Sequence, residues 1–483
     1  MLFITFAATN LKPETLKPET IAAISTPVGV GATATIRVSG SAALGIVDSI
    51  FVSPRGKKLS QQKPNTIHFG KIVHRGQTLD EVLAAVFEAP HSYTGEDVAE
   101  IYCHGSVYIQ QQILQALIDC GATMARAGEF TLRAFLNKKI DLVQAEAVGD
   151  LIAARTPVMH QMAMQQMRGG YSLKIKNLRE QLLNFLSLLE LELDFAEEDV
   201  EFANRFKFND LATEILSVID PLIQSFATGN AIKNGIPVVI AGAPNVGKST
   251  LLNALLNDEK ALVSPIPGTT RDAIEDTVTL GGTLFRFIDT AGLHAATDTV
   301  EQLGIERSYQ KIEQASIILL VATSEPTLNS QFSTLNSQFS TLNSQLNKKY
   351  IVLLNKIDTL NEEEILVAVK SLQNVINQQV TVIPVSGKTR QGLETLQQTL
   401  VQLAALPQNA DSDCIVSNAR HYEAFVHAQQ SLQRAQIAVN QQVSTELIAF
   451  EIREAIAHLS SIVGEITDAD VLNNIFGKFC IGK

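Results

Sequence analysis

Gly242-Ala243-Pro244-Asn245-Val246-Gly247-Lys248-Ser249 decides how this chain is read. Ahead of it, Ile236 to Ala241 is a short apolar, β-branched run suited to a buried strand; behind it, Thr250 to Asn257 (TLLNALLN) has the spacing of an amphipathic helix. A strand, a glycine-containing loop and a helix in that order build a phosphate site. The loop N–H groups and the positive end of the helix converge on one point, Lys248 reaches terminal phosphates, and the Ser249 hydroxyl suits Mg²⁺. Asn245, Val246, Gly247 and Thr250 complete the nucleotide-contacting set.

The totals bound what surrounds this site. A chain of 483 residues holds two to four domains at ~100–200 residues each. With 46% hydrophobic and 18% charged residues it can bury a substantial core. The formal charge of -12 excludes an overall basic coat for nucleic acid, so any RNA contact is local or supplied by a partner. Cys103, Cys120, Cys414 and Cys480 are scattered, with no CxxC pair, which points away from a zinc site or a disulfide framework and toward a reducing cytoplasm. The opening MLFITFAA lacks a basic flank and falls short of the ~18 apolar residues of a spanning helix, so no membrane is expected.

Residues 1–19, with LKPET repeated, read as a flexible leader. From Ile21 to about Phe135, short apolar runs (IAAIS, TATIRVSG, TIHFGKIV, EVLAAVFEAP, AEIYCHG) predict strands of an α/β domain with one amphipathic helix at Val107 to Leu117. From about Asp141 the period turns helical and stays so to Phe226, with Leu211, Ile215, Val218, Leu222 and Phe226 as one face. It is helical again from His421 to Ile466, where Leu447, Phe450, Ile452, Ile456, Leu459 and Val463 form an apolar stripe. Between these blocks, strand and helix periods alternate, with buried-strand candidates at 238–241, 284–288, 317–321, 351–354 and 380–385, as a doubly wound, mostly parallel sheet requires. The expected division is therefore an N-terminal domain at 20–135, a helical domain in two segments at 136–234 and 407–483, and an inserted nucleotide-binding domain at 235–406. Within the insert, TLNSQFS repeats over 327–347 with heptad spacing; Ser, Thr and Asn are poor helix formers, so a loop is favoured over a short helix.

Three further elements specify the nucleotide. Asn355-Lys356-Ile357-Asp358 follows an apolar strand, and an Asp carboxylate accepts two parallel hydrogen bonds from the N1–H and N2–H₂ edge of guanine, a pair that adenine does not offer. Ser386-Gly387-Lys388, also after a strand, places N–H groups for the guanine O6. Asp289-Thr290-Ala291-Gly292 ends a third strand, with Asp289 positioned for Mg²⁺ through water and the Gly292 N–H for the γ-phosphate. Between the phosphate loop and this strand lies Pro267-Gly268-Thr269-Thr270-Arg271-Asp272, whose threonines complete the Mg²⁺ shell. GTP binding and hydrolysis follow from four elements in this order. At the position after Gly292, where Ras-like switches carry a water-orienting Gln, stands Leu293, so another residue must position water and extra positive charge must balance the transition state.

With these residues in hand, the chain resembles the tRNA modification GTPases known as the MnmE or TrmE family, of the TrmE-Era-EngA-like GTPases. The resemblance rests on TIAAISTPVGVGATATIRVSG, SYTGEDVAEIYCHG, GEFTLRAFLNKKIDLVQAEAVGDLI, PGTTRD and the terminal FCIGK, and it extends from Thr20 to Lys483. It implies an N-terminal folate-binding α/β domain that dimerises, a helical domain from two segments and an inserted Ras-like domain. It also implies K⁺ held by Asn245, Ser264, Ile266 (through its carbonyl) and Thr269, and Mg²⁺ held by Ser249 and Thr270, with Glu301 orienting the water. Without K⁺, Asn245 reads as a residue that merely stabilises the loop turn. The family's DTAGLR reads Asp289 to His294 here, so a His replaces an Arg. A tetrahydrofolate derivative (5-formyl or 5,10-methylene) is implied at Arg37, Glu100, Lys139 and Lys483, where a carboxylate suits a pterin N–H edge and cations suit a glutamate tail. Cys480, near Lys478 and Lys483, reads either as a nucleophile or acid, or as a packing cysteine. Arg126, Arg133, Lys138, Arg168, Lys174 and Lys176 read as RNA-phosphate contacts or as a solvated face.

The resemblance implies a cytoplasmic, homodimeric, K⁺-stimulated GTP hydrolase. With an MnmG-type FAD-dependent partner, in a heterotetramer, it would modify C5 of the tRNA wobble uridine by a carboxymethylaminomethyl or aminomethyl group. The rivals are a ribosome-assembly GTPase of the Era or Der type, and a regulatory switch whose folate pocket is only a sensor.

Overall fold

The computed structural model describes residues 19–27, 29–194, 204–242, 245–257, 276–288, 315–324, 349–376, 381–404, 415–465 and 469–482. The chain forms two units: Met1–Ile152, Met164–Val218 and Ala424–Lys483 make the first, Ala153–Ala163 and Ile219–Glu423 the second. Its strands are β1 (Ile21–Ile24), β2 (Thr33–Ser39), β3 (Phe51–Val52), β4 (Thr66–His74), β5 (Gln77–Phe87), β6 (Val98–His104), β7 (Thr123–Met124), β8 (Ile236–Gly242), β9 (Asp276–Leu280), β10 (Thr283–Phe287), β11 (Ile317–Ala322), β12 (Lys349–Leu354) and β13 (Val382–Pro384). Its helices are α1 (Ala43–Ile50), α2 (Val107–Asp119), α3 (Glu129–Leu136), α4 (Leu142–Ala153), α5 (Pro157–Met167), α6 (Ser172–Asp194), α7 (Arg205–Asn234), α8 (Lys248–Asn257), α9 (Glu362–Ile376), α10 (Leu393–Ala404), α11 (Ala419–Asn440), α12 (Thr445–Val463) and α13 (Ala469–Phe476).

Alternation along the first seven strands builds the sheet of the first unit, ordered β3-β4-β5-β6-β2-β1-β7. Every neighbour is antiparallel except β1 and β7. Ala34, Ile36 and Val38 of β2, Val82, Ala84 and Val86 of β5, and Ala99 and Ile101 of β6 turn to one face, where α1 and α2 cover them. Helix α1 departs from the expectation of one helix in this region: its apolar residues make a run too short for the period to separate helix from strand. On the opposite face, Ile21 and Ala23 of β1 pack with Phe130 of α3. The β4–β5 hairpin closes through Arg75 and Gly76, both at positive φ (51° and 77°), a two-residue turn whose twist matches the strands.

The C-terminal residues return to this sheet. Leu472 and Phe476 of α13 bury with Leu142 and Ala145 of α4, Ile481 bridges antiparallel to Ala127, and Gly482 approaches β1 so closely that a Cβ would lie 2.3 Å from the Ile24 oxygen. Helix α12 lies on α6, with the Arg453–Glu190 and Arg179–Glu465 ion pairs at 2.9 and 2.6 Å. Its buried stripe is Ile448, Ile452, Ile456, Leu459 and Val463, while Leu447 and Phe450 stand exposed, contrary to expectation; Phe450 lies two residues from Ile448 and from Ile452, which is the far side of a helix. On α7 the inward residues are Phe208, Ala212, Ile215, Ile219 and Leu222; Leu211, Val218 and Phe226, expected on that face, are only half-buried.

The second unit holds a sheet ordered β13-β12-β11-β8-β10-β9. The first five strands run parallel and β9 pairs antiparallel at the edge. Both faces are covered, which is why β11 reads as continuous apolar sequence: Ile317, Leu319 and Val321 face α8 and α10, and Ile318, Leu320 and Ala322 face the other way. Edge strand β9 (DTVTL) lacks such a run and is not among the strands expected from the sequence.

Gly128 tests the docking of the C-terminal helix. Its φ is 66° and a Cβ would lie 2.6 Å from the Phe476 carbonyl oxygen, whereas Gly76 at φ 77° has open space around it. Gly76→Ala should cost about 1 kcal/mol of left-handed strain, and Gly128→Ala about 2–4 kcal/mol once overpacking is added. Thermal melts of the two variants should therefore show the larger drop for Gly128→Ala.

Candidate functional site

Parallel strands that end at one edge of a sheet bring their following loops together. Strand β8 leads into the 242–249 loop, β12 into Asn355, and β13 into Ser386 to Lys388. Asn355, buried at 3% exposure, joins them: its Nδ2 donates to the Val246 oxygen at 2.8 Å and its Oδ1 accepts from the Gly387 N–H at 3.2 Å. Asp358 accepts from the Ser386 hydroxyl at 2.7 Å, and that hydroxyl also accepts from the Thr389 N–H at 3.1 Å. The Asp358 carboxylate is thus held beside the 386–388 loop, as base recognition needs. Lys356 takes a left-handed φ of 64°, which carries the chain from the strand into the turn that presents Asp358.

Asn245 also has positive φ (62°), a conformation that its short polar side chain tolerates, and it is exposed. Lys248 is buried and donates to the Gly242 oxygen at 2.8 Å; burial pushes its ammonium pKa down. Ser249 and Thr250 occupy the first turn of α8, and Gly387 packs against that turn: a Cβ on it would lie 2.9 Å from the Leu251 nitrogen. Ser264, Ile266, Thr269, Thr270, Asp289, Thr290, Ala291, Gly292 and Glu301 lie outside the described residues, as do Leu293, His294 and the 327–347 repeats.

A second constellation forms in the first unit. The β2–β6 register sets Arg37 opposite Glu100, and Arg37 donates to Glu100 Oε1 through Nε and through a terminal nitrogen, both at 2.8 Å. The Tyr102 hydroxyl donates to Glu100 Oε2 at 2.7 Å; burial and the Glu100 carboxylate push its phenol pKa up to about 12. The Arg37 guanidinium stands 5.5 Å from the ring centres of both Tyr93 and Phe130. Lys139 holds the loop that carries Tyr93, donating to the Pro90 oxygen at 2.8 Å. The Cys480 carbonyl accepts from the Gly128 N–H at 3.5 Å and its thiol-bearing residue is exposed; Lys483 is outside the described residues. Gly482 meets the end of β1, whose Ala23 pairs with Arg37, so the backbone just before Lys483 reaches the strand beside the pair.

Tyr93, Tyr102 and Phe130 stand beside Arg37 and Glu100, and the sequence analysis passes over them. Tyr102 had one available signal, its place two residues after Glu100 on the same strand face. Of the cations expected at the entry to the helices, Arg133 is paired with Glu96 and Glu129 at 3.0 Å each, and Lys176 with Asp141 at 3.4 Å.

Family models match nearly the whole described chain: residues 20–139 match the GTP-binding protein TrmE N-terminus, and 142–480 the MnmE helical domain. The chain belongs to the MnmE family of tRNA modification GTPases. A relative from Christiangramia forsetii that carries the name tRNA modification GTPase MnmE is 50% identical over 470 residues, 96% of this chain and 99% of its own. One from Bacteroides fragilis with the same name is 50% identical over 469 residues, covering 97% and 100%. Aquifex aeolicus Era, solved bound to GDP.AlF4-, is 27% identical over 40% of this chain and 66% of its own, with a TM-score of 0.28, too low to bear on the fold. Among the described residues, no helix is long and apolar enough to cross a membrane.

Asn355→Ala removes both bonds that tie the 242–249 loop to the 386–388 loop and leaves the Gly387 N–H without this acceptor. A cost of about 2–3 kcal/mol corresponds to guanine nucleotide binding weaker by roughly 30- to 150-fold. Titration with a fluorescent GDP analogue checks this, with circular dichroism showing that the sheet persists.

Proposed function

We propose that this protein is a cytoplasmic GTP hydrolase that drives modification of C5 of the tRNA wobble uridine, adding a carboxymethylaminomethyl or aminomethyl group. The observation that carries the reading is the Asn355 clamp: it ties the phosphate loop to the Ser386–Lys388 loop, whose Ser386 in turn holds Asp358, in a chain matched over 96% of its length by a tRNA modification GTPase.

On this reading Lys248 binds the terminal phosphates, Ser249 with Thr270 and Asp289 holds Mg²⁺, and Asp358 selects guanine. The Lys248 ammonium is buried against the Gly242 carbonyl, and a phosphate beside it would favour the charged form that burial disfavours. Asn245, with Ser264, Ile266 and Thr269, would hold K⁺ to balance the transition state in place of an arginine, and Glu301 would orient water where Leu293 cannot. The exposed, left-handed Asn245 supports a ligand role, because its residue stands open to solvent at the loop.

Arg37, Glu100, Lys139 and Lys483 would bind a tetrahydrofolate derivative that donates the one-carbon unit. Glu100 accepts three bonds and a carboxylate offers about four lone-pair sites, so it retains acceptor capacity, while Tyr93 and Phe130 supply aromatic surface beside Arg37. Cys480 would act close by as nucleophile or acid. A homodimer is supported by Ile67, Phe69 and Leu83, which stand 61%, 51% and 45% exposed on the sheet face turned away from α1 and α2. The flavin-containing MnmG-type partner would supply the redox chemistry, and GTP hydrolysis would drive domain closure and opening rather than bond formation. An Era-type assembly GTPase would leave the ion-paired Arg37 site and the returning C-terminal residues without a purpose.

Nucleoside mass spectrometry of tRNA from cells lacking the protein should show loss of the modified wobble uridine, restored by the native chain. Cys480→Ser should fail to restore it while hydrolysing GTP at the native rate; restoration would remove the C-terminal segment from the chemistry. Hydrolysis should run faster in KCl than in NaCl, because the smaller ion fits the four-oxygen site poorly, and equal rates would contradict the K⁺ assignment.

A further inference from the structure

Between Asp48 and Asp80 the sequence has no acidic residue but has Arg55, Lys57, Lys58, Lys63, Lys71 and Arg75, in a chain whose formal charge is -12. The structure divides these six. Lys71 pairs with Glu81 at 3.1 Å and Arg75 with Asp119 at 2.8 Å. Arg55, Lys57, Lys58 and Lys63 are all exposed, and among the described residues none of them makes an ion pair. They sit on the strap of residues 53–65 that joins β3 to β4.

The strap is held from beneath. The Gly56 N–H donates to the Ser53 oxygen at 3.0 Å and closes a turn. Leu59, fully buried, anchors a 3₁₀ turn at Leu59–Gln61. Asp48 of α1 accepts from the Leu59 and Ser60 N–H groups at 2.5 and 3.3 Å, and its second oxygen accepts from the Ser60 hydroxyl at 2.5 Å. The acid nearest in sequence is therefore spent on fixing the strap. At the far end, the Lys63 carbonyl accepts from the Thr66 hydroxyl at 2.5 Å, and the Asn65 N–H donates to the Val86 oxygen at 2.7 Å. Four cations thus project from a backbone already in place, which lowers the ordering cost of binding.

We infer that the 53–65 strap is a contact strip for the tRNA phosphate backbone, an inference that rests on the tRNA-modification reading above. A run of fixed cations on a segment whose own leucine, Leu59, is buried matches regularly spaced phosphates: Arg55 offers a forked contact and the lysines point charges, none of them reading bases. An acidic protein partner fits less well, because protein interfaces draw their energy from buried aromatic and apolar anchors, and the strap's own leucine points inward. The negative balance of the rest of the chain repels RNA elsewhere and so confines the approach. Arg133 and Lys176, paired with carboxylates, are less able to serve.

The test uses the full chain, an unmodified tRNA transcript and anisotropy titrations between about 50 and 200 mM KCl. Each phosphate contact contributes about 0.7–0.9 to the slope of log affinity against log salt, so R55Q/K57Q/K58Q/K63Q should flatten that slope by about 3 and weaken binding at low salt at least tenfold. K57R/K58R should keep the native slope, and all variants should keep native GTP turnover and melting temperature. An unchanged slope in the quadruple variant, or no salt-dependent tRNA binding by the native chain, overturns the proposal. So does loss of an acidic protein partner with tRNA affinity intact, or aggregation as the sole effect, which would make the lysines guards of the β3 edge. Restoration of the modified nucleoside by the native chain in deficient cells reports separately on the underlying function, so the two can fail independently.

Discussion

The shared direction of β8, β11, β12 and β13 is the constraint on which the nucleotide site depends. Because these strands are parallel and in register, the loops that follow β8, β12 and β13 emerge at one edge, although more than a hundred residues separate Val246 from Asn355. Parallel strands cannot expose a face without cost, and here apolar residues on alternate sides bury against helices on both faces. Upon that frame a buried amide helps with the joining. Asn355 satisfies a carbonyl of the loop after β8 and an N–H of the loop after β13, so two hydrogen bonds tie these loops to each other.

In the first unit, register again sets which side chains meet. Directly opposed residues of antiparallel strands have neighbouring side chains, and the β2–β6 pairing puts a guanidinium and a carboxylate in that relation. A slip of one residue would send Arg37 into the apolar layer under α1 and α2 and bring Ile36 or Val38 out. The burial of that layer therefore enforces the geometry of the ion pair on the other side of the sheet.

This distinction also separates what was legible in the sequence from what was not. Strands β8, β11 and β12 announce themselves because two-sided burial demands continuous apolar sequence, and the motif loops because phosphate and base recognition call for backbone groups and a few particular side-chain chemistries. Strand β9, at an edge, needs no such run. Helix α1 is too short to show its period. On α7 and α12 the helical period is plain, but which angle of the cylinder faces inward depends on neighbours: Ala212 and Ile448 are buried, while the larger Leu447 and Phe450 are exposed. Tyr102 follows Glu100 by two residues on one strand face, but Tyr93 and Phe130 gather around Arg37 only through tertiary packing and the docking of α3, relations between segments that no local pattern encodes. The absence of those two from the sequence reading is a consequence of distance along the chain.

The bridge between Ala127 and Ile481 links residues that leave the ribosome hundreds of positions apart. At about 5–20 residues per second, β1, β2 and β6 have on the order of tens of seconds in which to pair before the segment that meets them exists. During translation the sheet can therefore assemble with the end of β1 still uncovered, and a message broken between α3 and α13 encodes every strand and helix that surrounds Arg37 but not the segment that abuts them.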